Sequence, residues 1–393
     1  MRHNEYLLDK SYFEKVAALF NKGQSDPQKI LVVEHAAINS LDFIDYLCEH
    51  YEVYFIPKPK SIDRKVLKHL SKTCTILDVS RKELAGVDTP NLIKEIVGQD
   101  TFAIIDIGGY FVPRLSDIQK QFKGQLVKII EDTENGYQKY EDKLSNNSIS
   151  VPILSVARSS LKIEEDFLVG HEIVVKSEIF LADYGTTLLG KKVLVIGYGK
   201  VGSSIAGNLR KRGAIVIVAD KRAIRLANAL AHGYQITNDI YTELIDVDIV
   251  YIANGEKSID TLQLKKLDLK HTLYSFSVTS ADDTFKNSQM INKLPHYGHN
   301  GGYKILKTKS NRTVILANSG NAINFTYSIS TLASYVQLTQ AEMAVILQKD
   351  ISGEENQGIV ELNENDREKI AKEWLAEIFE VPRFKIEVQH LLY

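Results

Sequence analysis

The chain has 393 residues, 44% of them hydrophobic and 25% charged, with 23 glycines and 8 prolines; this reads as a soluble globular protein of two or three domains whose core needs no disulfide or metal staple. A formal net charge of −2 offers no bulk attraction to nucleic acid or a membrane surface, and no apolar run nears the roughly 20 residues of a membrane span. Cys48 and Cys74 form neither a C-x-x-C pair nor a zinc spacing, and the charged start MRHNEYLLDKSYFEK lacks an apolar signal core, so a reduced, cytoplasmic setting is expected.

In chain order, Lys29–Glu34 (KILVVE) reads as a buried strand and Asn39–Tyr51 as a helix, with Leu41, Ile44, Tyr46, Leu47 and Cys48 at roughly helical spacing. Glu52–Pro57 reads as a second strand ended by a proline cluster, Ile62–Lys72 as a helix and Thr75–Val79 as a short strand. Thr101–Ile107 is a strand that stops at Gly108-Gly109. Gln125–Glu131 and Ser150–Val156 are two more, with a polar helix between them. A long helical stretch, Leu161–Asp183, leads to a second series of strands at Lys191–Gly197, Ile215–Ala219, Asp248–Ile252, Leu273–Phe276 and Thr313–Ala317. Ala322–Leu347 is helical again, and an acidic helix, Asn363–Phe379, precedes a proline-containing tail.

Repeated β–α alternation predicts an α/β protein with parallel sheets wrapped by helices. The expected division is residues 1–167 and 186–321 as two doubly wound domains, 322–350 returning to the first, and 351–393 as a terminal helix and tail. The second domain is thus inserted in the first.

Residues 193–202 read VLVIGYGKVG, in which Gly197, Gly199 and Gly202 match G-x-G-x-x-G. The triplet alone is weak, but an apolar strand runs into it and the helix Val201–Lys211 leaves it. That context marks a Rossmann turn: the glycines allow a tight bend, close approach of a pyrophosphate and helix–strand contact, while helix N–H groups face the phosphates. Asp220 ends the next strand, where a carboxylate bonds the adenine-side ribose, so NAD is the expected cofactor; Lys221 and Arg222 after it would tolerate a 2′-phosphate. Lys200 and Val201 within the turn, Asn254 after the Asp248–Ile252 strand, and Asn324 complete the expected cofactor-binding set.

Ligands of doubly wound sheets sit outside the carboxyl ends of the strands. In the first series those ends carry His35, Asp106, Asp132 and Lys162, with Asp166 one helical turn beyond Lys162. Each has a local alternative: His35 in the core, Asp106 as a turn stabiliser, Asp132 as a helix cap, Lys162 and Asp166 as a surface pair. The shared edge favours a catalytic set. The run HYGHNGGY (His296–Tyr303) lacks carboxylate or cysteine partners and reads as a loop with no metal site.

From about Lys29 to Leu347 the chain resembles the S-adenosylhomocysteine hydrolases. The resemblance rests on LLGKKVLVIGYGKVGSSIAGNLRKRGAIVIVAD (Leu188–Asp220), ALAHGYQI (Ala229–Ile236), NRTVILANSGNAIN (Asn311–Asn324) and VPILSV (Val151–Val156). It implies a substrate domain interrupted by a Rossmann domain, and NAD that stays bound and transiently oxidises a ribose hydroxyl. It places His35 on a substrate-domain histidine and Asp132 on a ribose-binding acid. Lys162 and Asp166 fall beside the oxidised hydroxyl, Asn324 at the nicotinamide end. It implies a homo-oligomer as well.

The departures fall on the elimination chemistry and the adenosine contacts. A family aspartate aligns with Ile107, leaving only Asp106; Ala37 and Phe167 replace a threonine and an asparagine. A Gly-His pair aligns near Ser277 and Val278, a histidine with Thr331, and only Tyr393 remains of a tail that reaches a neighbouring subunit. The expected function is therefore an NAD-dependent enzyme that oxidises a hydroxyl of a nucleoside-like or sugar-like small molecule, with altered elimination and poor hydrolysis of S-adenosylhomocysteine. The alternatives are the true hydrolase, making adenosine and homocysteine, and a non-catalytic NAD-binding protein. A 2-hydroxyacid dehydrogenase is a minor rival, because no substrate-clamping arginine or late histidine–acid pair can be placed.

Overall fold

The computed structural model describes residues 7–21, 23, 26–146, 149–299, 301–326, 333–349 and 358–379. They fold as two compact units, Met1–Ile163 with Ala333–Tyr393, and Glu164–Leu332. Among the described residues no helix is long and apolar enough to cross a membrane.

The first unit is built on a parallel sheet. Its strands are β1 (Lys29–Ala36), β2 (Glu52–Ile62), β3 (Thr75–Ile76), β4 (Phe102–Asp106), β5 (Leu126–Glu131) and β6 (Ile153–Ser155). They lie in the order β3-β2-β1-β4-β5-β6, and the late strand Ile359–Val360 extends the sheet beside β6. Both faces are covered, which is why β1 and β4 are nearly continuous apolar runs rather than alternating ones. Ile30, Val32 and Ile105 pack into one core layer, Leu31, Val33 and Ile104 into the other. Polar side chains begin where the strands end, at Glu34, His35, Asp106 and Glu131. The strand order reverses between β1 and β4, so their carboxyl ends flank the crevice where doubly wound sheets take ligands.

β2 runs further than the proline cluster suggests. Glu34 pairs with Pro57, but Ala36 pairs with Ile62. Four residues of β2, Lys58–Ser61, therefore stand against the single residue His35 of β1. A bulge of this kind breaks the ladder, so it tolerates proline and re-aims side chains. It brings Lys58 and Ser61 beside His35.

Ala322–Leu347 is not one continuous helix. A 3-10 turn, Ile323–Phe325, is followed by a second, Ala333–Tyr335, and by the α-helix Val336–Gln348. Residues 327–332, and so Thr331, lie outside the described residues, as does Tyr393. Helix Val336–Gln348 is buried all round, and its polar side chains clasp other segments. Gln337 bonds the backbone of Leu8, Gln340 donates to the carbonyl of Asn39 and Gln348 to that of Ala17. Lys128 closes its last turn by donating to the carbonyls of Ile346 and Leu347 at 3.1 and 2.8 Å.

The second unit repeats the same winding. Helix Ile163–Asp183 leads into β7 (Lys192–Ile196), β8 (Ile215–Ala219), β9 (Gln235–Thr237) and β10 (Ile249–Ile252). After these come a small pair, β11 (Ile259–Asp260) with β13 (Phe285–Lys286), then β12 (Leu273–Ser277), β14 (His296–Tyr297), β15 (Tyr303–Lys307) and β16 (Thr313–Ala317). The main sheet runs β14-β15-β16-β12-β10-β7-β8-β9, with its switch point between β7 and β10. The two ends of the run expected as a loop pair antiparallel, His296 with Lys304 and Tyr297 with Tyr303, and His296 bonds the Ser319 hydroxyl at 2.8 Å. Among the described residues no group of three metal-ligating side chains forms. Residues 322–326 stay with this unit: Ala322 bridges to Ser277 beside the sheet and Lys176 donates to the carbonyl of Asn324.

Candidate functional site

The first cluster lies at the carboxyl edge of the first unit's sheet. Asp106 and Glu131 end β4 and β5, both fully buried. The Asp106 carboxylate accepts the N–H groups of Tyr110 and Phe111 at 2.7 and 2.9 Å and the Tyr140 hydroxyl at 2.6 Å. Glu131 accepts Gly108 N–H at 3.0 Å, Gly109 N–H at 2.9 Å and both the N–H and hydroxyl of Thr133. The two acids thus hold the Gly108-Gly109 turn, where both glycines have positive φ, 108° and 66°. Gly136 admits the Glu131 carboxylate: a Cβ there would lie 2.0 Å from it. Burial and the neighbouring Asp106 push Glu131 up to about 8. Burial also raises Asp106, while its hydrogen bonds oppose the shift.

Around this turn stand the other proton carriers. His35 Nδ1 bonds Ser61 Oγ. Burial, with the cations Lys58 and Lys162 nearby, pulls its imidazole well below the usual range, so it is neutral at pH 7. Lys162 donates to Asp132 at 3.0 Å, both side chains mostly enclosed. Lys58 lies among Glu34, Glu131, Asp132 and Asp106. Burial lowers its ammonium, and those four carboxylates oppose the shift. A Cβ on Gly108 would sit 3.7 Å from the Lys58 amine. Ile107, just past β4, is 2% exposed and belongs to the apolar core.

Four of the five expected residues, His35, Asp106, Asp132 and Lys162, share this edge, Asp106 as part of the turn. Asp166 falls in the second unit and pairs with Lys200 at 3.3 Å. Sequence reading missed Glu131, Lys58 and Ser61. Glu131 was legible as the acid just before Asp132. The other two depend on the bulge, which pairing register alone reveals.

The second cluster surrounds the β7 turn. Gly197 has φ 97°, and a Cβ there would lie 2.7 Å from the Ala253 carbonyl and 2.9 Å from the Asn254 nitrogen. Gly202 is tighter still, its absent Cβ 1.9 Å from the Gly197 carbonyl. Gly199 is the N-cap of helix Lys200–Lys211, and the Arg225 guanidinium lies 3.5 Å from where its Cβ would be. Val201, next after Lys200 in that helix, is half-buried. Asp220 accepts the N–H groups of Tyr198 and Arg222 at 2.7 and 2.8 Å and pairs with Arg225 at 3.4 Å. A carboxylate has about four acceptor positions, which leaves room for a ribose hydroxyl. Asn254 Oδ1 accepts the Ser258 hydroxyl at 3.3 Å.

Asn324 is held by an enclosed ion pair. Lys176 bonds Glu172 at 2.6 Å and donates to the Asn324 carbonyl. The turn before it carries Asn318 and Ser319 at φ 46° and 55°, an uncommon conformation for residues with a Cβ. It is fixed by Asn318 donating to the Ala322 carbonyl at 2.7 Å and by Asn321 accepting Ala281 N–H at 3.0 Å. Among the described residues, Asn324 Oδ1 and Ser277 Oγ are buried with no hydrogen-bond partner. Orphaned polar atoms are costly unless a ligand completes them, and both lie past or at the carboxyl ends of β12 and β16, the edge at which a doubly wound sheet takes its ligand. The glycine cradle, Asp220 and these two atoms fit NAD.

Residues 182–330 match the family model described as S-adenosyl-L-homocysteine hydrolase, NAD binding domain. This segment is therefore an NAD-binding domain of that type. Among solved structures, a dipicolinate synthase component from Bacillus halodurans is 13% identical, with 83% of this chain and 100% of that one covered at a TM-score of 0.47. A phosphoglycerate oxidoreductase from Vibrio cholerae O395 is 14% identical, with 80% and 98% covered at 0.41. A dipicolinate synthase component from Bacillus subtilis is 16% identical, with 64% and 80% covered at 0.35. Likenesses this loose carry no argument about the reaction.

Proposed function

We propose that the chain is an NAD-dependent enzyme that transiently oxidises a hydroxyl group of a nucleoside-like or sugar-like small molecule, with an elimination machinery unlike that of the S-adenosylhomocysteine hydrolases. The observation that carries this reading is the gathering of neutral His35 and the Lys162–Asp132 pair at one sheet edge, in a chain that also holds an NAD-binding domain. Bound NAD supplies a hydride acceptor for a carbon that bears a hydroxyl. The Gly197–Gly202 turn and the N-terminus of helix Lys200–Lys211 would hold its phosphates, Asp220 its adenine-side ribose, and Asn324 and Ser277 its amide end.

The remaining work falls to the first unit. Hydride loss from an alcohol requires the hydroxyl proton to leave at the same time. The Lys162 ammonium donates to the hydroxyl oxygen and fixes it; the Asp132 carboxylate at 3.0 Å accepts the proton. His35, uncharged and tied through Nδ1 to Ser61, presents Nε2 to a neighbouring hydroxyl and orients the ring. With Ile107 in the core and Asp106 bonded into the turn, the step after oxidation must use other groups.

The test is protein loaded with NAD, mixed with adenosine in a stopped-flow spectrometer and followed at the reduced-nicotinamide absorbance. The parent protein is expected to show a rise, and Lys162→Met a rise slower by about 10²–10³-fold, the usual cost of losing one donor to a reacting oxygen. An equally fast rise in the variant would remove Lys162 from the chemistry.

A further inference from the structure

The acids at the sheet edge have their bonding committed. Asp106 and Glu131 spend theirs on the Gly108-Gly109 turn, and Asp132 bonds Lys162. His35 is bound through Nδ1 to Ser61. Lys58 has no part in the oxidation step. It sits in the bulge where four residues of β2 face one of β1, its amine 3.7 Å from the Cβ position of Gly108. Pro57 and Pro59 on either side fix φ near −65° and limit how far the bulge can relax.

We propose that Lys58 is the carbon-acid base of this site, taking a proton from the carbon next to the carbonyl that oxidation creates. The proposal rests on the reading above, in which a nicotinamide dinucleotide is the oxidant. Once a hydroxyl has become a ketone, the neighbouring C–H is acidified. The Lys58 amine removes that hydrogen as a proton. The C–H bond breaks, its electron pair moves into an enolate, an N–H bond forms, and the amine becomes an ammonium. No further oxidant is needed, and the ammonium returns the proton in the reverse step.

Chemistry favours lysine here. A base works only when deprotonated, and burial moves Lys58 in that direction. Protonation after the transfer is then favoured by the acidic groups around it, Glu34 foremost. The Glu34 carboxylate, the largest of these influences, stabilises the positive charge that develops on the amine in the transition state. Lys162, held by Asp132, stays the hydroxyl's partner, so the two lysines divide the work between oxygen and carbon.

The experiment has two arms. In the first, NAD-loaded protein is incubated with adenosine in deuterium oxide, and deuterium in the ribose is measured by mass spectrometry alongside reduced nicotinamide. Lys58→Met and Lys58→Arg are each expected to lower deuterium uptake per reduced nicotinamide by at least about 100-fold. Arginine keeps the charge but cannot give up its proton, so a structural or charge-balancing role would be rescued by Arg and a basic role would not. Undiminished uptake per reduced nicotinamide in Lys58→Arg overturns the proposal. In the second arm, lysines carry a carbon-13 label at Cε and are titrated by NMR, the Lys58 signal being the one missing from Lys58→Met. A midpoint at least about one unit below the ~10.4 of an ordinary lysine supports the base role, and an ordinary midpoint overturns it. If adenosine reduces no nicotinamide in the parent, the proposed function fails in the first arm, while the second still decides Lys58.

Discussion

Gly202→Ala is expected to abolish NAD binding to any measurable affinity, a loss of at least about 100-fold or 2.8 kcal/mol. The methyl group would lie 1.9 Å from the Gly197 carbonyl oxygen, far inside contact distance. That oxygen is backbone in the same turn, so it cannot swing away as a side chain would. The turn must open, and with it the N–H groups that would face the phosphates. A nearby glycine supplies the control. Gly207 lies in the same helix, Lys200–Lys211, and its Cβ position meets nothing closer than the Tyr234 hydroxyl at 4.0 Å. Gly207→Ala is expected to keep NAD affinity and gain up to about 1 kcal/mol of stability from helix propensity. Calorimetric titration of NAD into both variants, with thermal melts, checks the pair. Wild-type affinity in Gly202→Ala would show that the turn is not the phosphate site.

Arg367→Met is expected to cost about 3–5 kcal/mol, on the order of 10 °C in melting temperature. Glu342 is fully buried on helix Val336–Gln348. Its carboxylate accepts from Arg367 Nε at 2.9 Å and from the Ser159 hydroxyl. Arg367 also bridges Glu361 and Glu364 at 2.8 and 2.6 Å, tying helix Glu364–Phe379 to the first unit's core. Removing the guanidinium leaves a buried carboxylate without its counter-charge. Even with Arg367 present, burial pushes Glu342 up to about 7. A carboxyl raised in the folded state binds more protons folded than unfolded, so stability falls as pH climbs from the unfolded value near 4.3 to the folded one. Without Arg367 the folded value rises further and the fall extends past pH 7. The deficit of Arg367→Met should therefore be larger at pH 8 than at pH 6, and Glu342→Gln in the same background should recover part of it. Urea unfolding at both pH values measures this; an equal deficit at the two would show that Glu342 is not the group left stranded.

Much of this was legible in the residues, and the failures have physical causes. Apolar runs such as KILVVE and TFAIID betray buried parallel strands because both faces are covered. The turn at Gly197 was legible because its three glycines keep a fixed spacing between an apolar strand and the helix that follows. What pairs over long distance was not. The bulge at Lys58–Ser61 exists only in the register between β1 and β2, so the prolines looked like a strand end. Lys162 and Asp166, one helical turn apart, looked like partners. Tertiary contacts give Lys162 to Asp132, 30 residues earlier, and Asp166 to Lys200. The stretch after Ala322 has a helix-like pattern, yet its start is pinned as a 3-10 turn by Lys176 and Ser277, which local periodicity does not register.

Transient oxidation requires that NAD be kept and recycled rather than exchanged with each turnover. The direct measurement is nucleotide content: protein purified without added cofactor is passed through gel filtration, denatured, and the released nucleotide counted by mass spectrometry. Retention through that step requires a dissociation constant well below micromolar, more than about 8 kcal/mol of binding. The expected result is about one NAD or NADH per chain, lost in Gly202→Ala. Protein that emerges free of nucleotide, and binds added NAD only at millimolar concentration, would contradict a kept and recycled cofactor.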